Sequence, residues 1–182
     1  MIYLLLAEGF EEVEALTPLD LLRRAGKDIL TVSITNERAV RGAHGITVLA
    51  DLTCEELTVP CDEMLILPGG MPGTLNLDAS AITDRLLCEA GERDGYIAAI
   101  CAAPMILGKR GLLEGKRATC YPGFEGELKG ATVLSLATVT DGKIITATGA
   151  GAAVPFGGAL VAALCGETVA RDLLKTFRYT EA

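Results

Sequence analysis

A cysteine lies at the boundary between a predicted strand and a predicted helix. The apolar run Tyr96–Ile100 indicates a buried strand, Cys101 follows it directly, and Ala102–Lys109 has the pattern of a short helix. A thiol at the first turn of a helix lies near the positive end of the helix dipole, which lowers the thiol pKa and favours the nucleophilic thiolate. Cys101 is therefore a candidate nucleophile on a strand-to-helix elbow, with a structural cysteine as the alternative.

A carboxylate near the N-terminus could serve that thiol. Glu11, Glu12 and Glu14 begin the helix that follows the apolar strand Ile2–Leu6. Negative charge is favourable at a helix start for dipole reasons alone, so Glu11 and Glu12 need no further explanation. Glu14 completes the first turn near the buried face, where a carboxyl has a raised pKa and can donate a hydrogen bond to a thiolate.

Two glycines end another predicted strand. Gly69 and Gly70 follow the apolar run Met64–Leu67, and their backbone amides are free of side-chain obstruction. Together with the amide of Ala102 they could form an oxyanion hole, whereas an ordinary strand-ending turn is the alternative. Active sites of open α/β sheets lie beyond the carboxyl ends of the strands, so we expect these groups to converge with Cys101.

Several kinds of site are excluded by the residues available. His44 is the only histidine, and it precedes the cysteine in an irregular segment, so a Cys-His triad of the papain type is not expected. The same argument excludes a histidine-based metal site, and no group of cysteines has zinc-site spacing. The segment Gly149–Gly151 has only two of the three glycines of a dinucleotide-binding loop, so dinucleotide binding is not expected. We therefore expect neither a metal nor a cofactor.

The elements that must position these residues alternate between strand and helix. This order predicts an α/β fold with a mostly parallel central sheet covered on both faces. A hairpin centred on Asp141-Gly142 is expected, an irregular excursion or hairpin is expected over Val40–Asp51, and Pro18 should kink the first helix. The predicted strands are Ile2–Leu6, Ile29–Ile34, Met64–Leu67, Tyr96–Ile100, Val133–Val139 and Lys143–Ala147, and the helices are Glu11–Ala25, Asp78–Arg93, Ala102–Lys109, Ala152–Cys165 and Thr168–Phe177.

Composition limits the partners and the cellular compartment. The 182 residues carry a formal net charge of −8 without a run of Lys or Arg, which argues against nucleic acid and anionic membranes as partners. Six cysteines without a CxxC motif, and no signal-peptide pattern, indicate a reduced cytoplasmic protein. The uncharged run Ile144–Gly166 is interrupted by glycines and Pro155, so we do not predict a membrane span. A single domain over residues 1–182 is expected.

Four motifs resemble the ThiJ/PfpI family, in the branch that contains the Parkinson-associated deglycase and its bacterial relatives. They are Ala7–Glu14, Leu65–Gly70, Ala98–Pro104 and Thr148–Gly151, and they occur in the family's order and spacing across essentially the whole chain. The resemblance implies a flavodoxin-like three-layer sandwich with a nucleophile elbow, in a protein that usually forms homodimers. The motifs are specific for the fold and the site and much less specific for the substrate.

The resemblance also implies roles for individual residues. Cys101 matches the reactive cysteine, Glu14 the protonated glutamate that hydrogen-bonds it, and the amides of Gly70 and Ala102 the anion pocket. Because peptidase-like members have a histidine at the position of Ala102, proteolysis is not expected. Several relatives have a histidine where this chain has Tyr121, a phenol that donates hydrogen bonds but is not a base at neutral pH.

Further accessory candidates follow from the same comparison of motifs. His44 aligns with an arginine that approaches the partner's site in related dimers, and a solvated loop histidine is the alternative. Gly149 and Gly151 belong to the closing motif. The first helix ends in Arg23-Arg24 and the excursion Val40–Asp51 is apolar, and related proteins pair through this half of the fold, so we expect a homodimer.

The leading functional hypothesis is a cofactor-independent cysteine enzyme for small aldehydes. The resemblance implies glyoxalase III-like conversion of glyoxal or methylglyoxal to a hydroxy acid, or deglycase activity. The same oxidisable Cys101 would also suit a peroxide-sensing or chaperone-like stress protein. A hydratase or hydrolase of another small electrophile uses the same residues, and the sequence does not rank it.

Thiol labelling tests the assignment of Cys101. Alkylation of the native protein at pH 6 should modify Cys101 first, because an activated thiol is the one with an appreciable thiolate fraction at that pH. Mass spectrometry after brief exposure measures the order. Faster modification of Cys54, Cys61 or Cys120 would contradict the elbow assignment.

Overall fold

The computed structural model describes residues 1–180, which form eleven strands and six α-helices. The strands are β1 (Ile2–Leu6), β2 (Ile29–Ser33), β3 (Ala39–Arg41), β4 (Thr47–Leu49), β5 (Leu52–Thr53), β6 (Met64–Leu67), β7 (Tyr96–Ile100), β8 (Arg117–Ala118), β9 (Thr132–Val133), β10 (Thr138–Asp141) and β11 (Ile144–Ala147). The helices are α1 (Glu12–Arg24), α2 (Gly73–Asp78), α3 (Ala81–Glu92), α4 (Pro104–Lys109), α5 (Ala153–Cys165) and α6 (Glu167–Thr176).

Seven strands form one central sheet in the order β10-β11-β7-β6-β1-β2-β5. All neighbouring pairs are parallel except β10 and β11, which form the predicted antiparallel hairpin at the sheet edge. The predicted α/β class with a mostly parallel sheet is therefore confirmed. Because β1, β6 and β7 are adjacent and parallel, the residues that follow them meet at one edge of the sheet.

Alternation along β1 divides the core between the two faces of the sheet. Ile2, Leu4 and Leu6 belong to one buried cluster, with residues of α1, α5 and α6, whereas Tyr3 and Leu5 belong to the other, with residues of α3 and α4. Side chains of a strand point alternately to opposite faces, so a strand that is apolar throughout must be covered on both sides. The result is the three-layer arrangement that the unbroken apolar strands predict.

The structure corrects several element boundaries. Helix α4 begins at Pro104 rather than Ala102, so Cys101 lies in a turn before the helix. The segment before Ala81 contains the separate helix α2, which was not predicted, because its first residue, Gly73, is held by backbone contact with Gly9 rather than by an amphipathic pattern. Helix α1 includes Pro18, as predicted, and is one residue shorter at each end than the predicted helix Glu11–Ala25.

The remaining differences concern strands. The predicted strand Val133–Val139 is wrong over its middle, because Thr132 and Val133 pair with the short strand β8 and only the end of the segment, from Thr138, pairs with β11. The excursion Val40–Asp51 is a hairpin of β3 and β4. Within residues 1–180, no helix has both the length and the apolar character needed to cross a bilayer, and the run Ile144–Gly166 is divided among β11, a 3-10 turn and α5.

Two helical glycines provide a matched test of the packing of α1 against α5. A Cβ on Gly157 would lie 2.6 Å from Leu21 Cδ1 and 3.2 Å from the Cα of Pro18, whereas a Cβ on Gly91 would meet no atom within 4 Å. We expect Gly91→Ala to stabilise the protein by up to about 1 kcal/mol through helix propensity. Gly157→Ala should instead destabilise it, because overpacking costs about 1–3 kcal/mol. Urea unfolding measures both, and equal effects of the two substitutions would contradict this account.

Candidate active site

Cys101 is held in a turn by backbone contacts on both sides. Its N–H donates to the carbonyl of Ala147 at 2.9 Å, and its carbonyl accepts from the N–H of Tyr121 at 2.8 Å. Its φ of 65° lies in the left-handed region, which non-glycine residues seldom occupy and which is found at strained functional turns. The strand-to-helix elbow thus lies at the predicted position, directly after β7.

Glu14 reaches the same point from the first turn of α1. Its side chain is 1% exposed, and its Oε2 accepts a hydrogen bond from the N–H of Gly69 at 2.9 Å. A Cβ on Gly69 would lie 2.5 Å from Glu14 Oε2, 2.6 Å from Cys101 Cβ and 3.1 Å from Cys101 Sγ. The carboxyl and the thiol therefore approach each other across a glycine that has no room for a side chain.

Burial dominates the electrostatics of Glu14. Loss of solvent raises the pKa of its carboxyl from 4.5 to about 7, and the charge of Glu11 adds to this effect. Hydrogen bonds with Cys101 and with the amides of Gly69 and Ala150 oppose it by stabilising the carboxylate. The predicted raised pKa of an inward Glu14 is confirmed in direction.

The predicted lowering of the Cys101 pKa by a helix N-terminus is wrong. Burial is the largest influence, the negative charge of Glu14 is the second, and together they raise the thiol pKa to about 12. Hydrogen bonds from the amides of Ala102 and Gly70 act in the opposite direction. The physical reason is that α4 begins three residues later and is short, so its dipole does not compensate for desolvation and a neighbouring carboxylate.

The glycine pair and Ala102 contribute backbone amides around the thiol. The Gly69 amide binds Glu14, whereas those of Gly70 and Ala102 stabilise the sulfur anion. Gly70 has a φ of 91°, and a Cβ there would overlap the backbone of Gly9 and Phe10. The three positions predicted from the sequence therefore lie together at Cys101.

Of the accessory candidates, Tyr121 and Gly149 lie beside the site, whereas Gly151 and His44 do not. Tyr121 is half exposed, and its ring packs beside Gly149, where a Cβ would lie 3.2 Å from Tyr121 Cδ2 and 3.7 Å from Glu14 Oε1. Gly151 is exposed, and a Cβ at that position would meet no atom within 4 Å, so the structure does not bring it into the site. His44 is 69% exposed and contacts Glu11 and Glu12 rather than Cys101, and its role towards a second subunit stays a prediction.

The other cysteines lack these surroundings. Cys61 and Cys120 are buried, and desolvation raises the pKa of the first to about 12 and of the second to about 11. Cys88 on α3 is the exposed one and is the natural internal reference for labelling. Two large cavities, of about 630 and 580 Å³, are lined by neither Cys101 nor Glu14, so cavity size does not identify this site.

The amide of Ala150 is the part of the site that sequence reasoning missed. It lies in the 3-10 turn after β11 and hydrogen-bonds the Glu14 carboxylate. A backbone donor has no side-chain signature, although its position in the closing motif Thr148–Gly151 was a signal that this turn belongs to the site.

Several known proteins are similar to this chain in sequence. DJ-1 homolog B of Arabidopsis thaliana is 38% identical over 170 residues, which cover 92% of this chain and 39% of that protein. The chain spans a similarly small share, 44%, of DJ-1 homolog A from the same plant. A protein named deglycase from the archaeon Pyrococcus abyssi is 33% identical over 150 residues, which cover 80% of this chain and 87% of the relative.

Solved structures show the same fold over nearly the whole chain. A cysteine-to-alanine mutant of a DJ-1 superfamily protein from Salmonella typhimurium superposes with a TM-score of 0.91 at 31% identity, covering 99% of this chain and 98% of that one. Oxidized DJ-1 of Toxoplasma gondii gives a TM-score of 0.89 at 29% identity, with the same coverage. The model of the DJ-1/PfpI family matches residues 1–163. The chain is a member of the DJ-1/PfpI family, with its flavodoxin-like fold.

Proposed function

We propose that the chain is a cofactor-independent enzyme that acts on reactive small aldehydes through Cys101. The observation that carries this proposal is the buried Glu14 carboxyl in hydrogen-bond contact with the thiol across Gly69. The deglycase name of the archaeal relative supports a deglycase-like or glyoxalase III-like reaction. The substrate class is glyoxal, methylglyoxal or an early adduct of such an aldehyde.

The protonation state of the pair determines its reactivity. Glu14 and Cys101 share a hydrogen bond, so the two groups titrate as one unit. The pair loses its first proton near the Glu14 pKa of about 7. The thiol pKa of about 12 describes the form of the pair in which Glu14 carries the negative charge. In the other form the charge is on sulfur, where the amides of Gly70 and Ala102 and partial exposure of Cys101 stabilise it, and the 1% exposed Glu14 stays neutral. We propose that the reactive form is a Cys101 thiolate that accepts a hydrogen bond from protonated Glu14.

The proposed reaction balances without a cofactor. The Cys101 thiolate forms a C–S bond to the aldehyde carbon of methylglyoxal, and the carbonyl electron pair moves to oxygen, where the Gly70 and Ala102 amides stabilise the charge. Protonated Glu14 gives its proton to the neighbouring ketone oxygen and takes the proton from the former aldehyde carbon, which produces an enediolate. It then passes that proton to the former ketone carbon, which leaves the lactoyl thioester and an ionised Glu14. Water cleaves the C–S bond, releases lactate and returns the proton to the thiol.

Oxidation of the same thiol is the second candidate function. A related solved structure is that of an oxidized protein, and partly exposed Cys101 lies among donors suited to an anion. Two hydrogen peroxide molecules would each transfer one oxygen to sulfur and leave as water, which gives a sulfinate that protonated Glu14 can hydrogen-bond. Such a sensor changes state once, whereas an enzyme turns over.

A steady-state assay distinguishes the two functions. We expect the wild-type chain to consume methylglyoxal and release equimolar lactate, and Cys101→Ser to reduce the rate to the buffer background, because serine is a much weaker nucleophile. Cys88→Ser removes the exposed thiol of α3 and should leave the rate unchanged. A wild-type chain that consumes no aldehyde, or full activity of Cys101→Ser, would reject the enzyme proposal.

Substitutions of Glu14 separate proton transfer from activation of the thiol. Glu14→Gln keeps a donor but transfers no proton, and Glu14→Leu removes both, so both should lose about a hundredfold or more in turnover. The alkylation rate of wild-type Cys101 should rise with pH through about 7, as the pair loses its first proton. Glu14→Gln should retain much of that reactivity, whereas Glu14→Leu removes the donor to the thiolate and should move the alkylation profile to higher pH by roughly one to two units.

The exposed carboxylate Glu8, at the same edge of the sheet, supplies a control. Glu8→Gln changes the net charge equally and should alter neither turnover nor the alkylation profile. Full methylglyoxal activity in Glu14→Gln would reject proton transfer by Glu14 and direct the search to Tyr121, bound water or His44 of a second subunit.

A further inference from the structure

A second cluster of chemically active side chains lies outside the cysteine site. Glu11 and Glu12 stand at the start of α1, and His44 stands in the turn between β3 and β4. One ligand atom of each residue lies within 4.8 Å of the other two. A single histidine predicts no histidine-based metal site, yet the fold brings His44 beside carboxylates more than thirty positions away in the sequence.

The distances within this cluster fit a small cation. His44 Nδ1 is 2.9 Å from Glu12 Oε2 and 3.2 Å from Glu11 Oε2. Zinc binds imidazole nitrogen at about 2.0–2.1 Å and carboxylate oxygen at about 2.0–2.2 Å, so two ligand atoms of a tetrahedral site are about 3.3 Å apart. Both observed separations are close to that spacing, and small side-chain rotations would suffice.

Glu12 is oriented by the backbone of the hairpin. Its side chain is only 6% exposed, and its Oε1 accepts from the N–H of His44 at 2.8 Å and from that of Ile46 at 3.4 Å. Gly42 packs directly against the carboxylate, where a Cβ would overlap it. Hydrogen bonds of this kind fix the direction of a ligating carboxylate.

The same carboxylate lacks a permanent counter-charge. Within the described residues 1–180, the ion pairs of Glu12 involve only His44, whose imidazole is 69% exposed and is neutral when deprotonated. The amides of His44 and Ile46 offset part of the cost of burying this carboxylate, and a bound cation would supply the positive charge that they lack. Glu11, 15% exposed, adds a second negative charge at the same point, and the chain as a whole is acidic.

We propose that Glu11, Glu12 and His44 form a binding site for a divalent first-row transition ion, with Zn²⁺ as the ion that suits the donors best. One imidazole and two carboxylates are ligands that zinc accepts, and the exposed side of His44 leaves a fourth position for water. The bound ion would join the β3–β4 hairpin to the start of α1. This site is independent of aldehyde chemistry at Cys101.

The single histidine makes the test specific. Because His44 is the only histidine, its ring C–H signals in a ¹H–¹³C NMR spectrum of the tag-free, reduced chain are unambiguous, and zinc bound by thiols elsewhere does not move them. We expect about one equivalent of ZnCl₂ at neutral pH to shift these signals, and the same concentration of MgCl₂ to leave them in place. Unmoved signals in excess zinc would overturn the proposal.

Variants of the carboxylates show whether the cluster acts as a unit. Glu11→Gln and Glu12→Gln should each raise the zinc concentration needed for the shift by about tenfold or more. Even the loss of a residue that only hydrogen-bonds a metal ligand typically weakens metal binding by that much. Glu8→Gln, an exposed carboxylate that contacts the backbone of Arg41, should bind zinc as the wild type does. If Glu12→Gln does not fold by circular dichroism, Glu11→Gln alone decides. Wild-type affinity in Glu11→Gln would mean that the imidazole binds without the cluster and would reject the site.

Discussion

The close approach of a carboxyl and a thiol across Gly69 is the constraint on which the rest of the site depends. Glu14 arrives from α1, Cys101 from the end of β7, and Gly69 from the end of β6, and the absence of a Cβ on Gly69 lets the two side chains meet. This meeting requires β1, β6 and β7 to be parallel neighbours, because only then do their carboxyl ends share one edge of the sheet. Topology, glycine placement and chemistry are therefore linked at one point.

Three groups that carry the site could be predicted from the sequence because strand ends are visible in it. Apolar runs with abrupt ends place Cys101, Gly70 and the glutamates at one edge of a parallel sheet, and a general rule for such sheets brings them together. The four family motifs add the roles. Both arguments use local sequence patterns. Both succeed for residues whose place in the fold follows from their distance along the chain to the end of a strand.

The parts that could not be predicted depend on three-dimensional context. The sign of the Cys101 pKa shift depends on how much water the thiol loses and on the charge of Glu14, neither of which a helix start reveals. The Ala150 amide and the helix α2 are fixed by backbone contacts rather than by side-chain patterns. The pairing of His44 with Glu12 requires the hairpin to fold onto α1, which follows from tertiary hydrogen bonds such as Ala43 N–H to the Phe10 carbonyl.

Burial of Glu14 links the folding equilibrium to acidity. In the unfolded chain its pKa is the ordinary 4.5, whereas the folded value is about 7, so the native state holds the extra proton between these values. The contribution of Glu14 to the free energy of unfolding is therefore greatest below about pH 4.5 and is lost as the pH rises through about 7. The difference is on the order of 3 kcal/mol, a considerable part of the roughly 5–15 kcal/mol that stabilises a typical domain. Mild acid therefore stabilises the native state, and pH values above about 7, at which the pair is ionised, destabilise it.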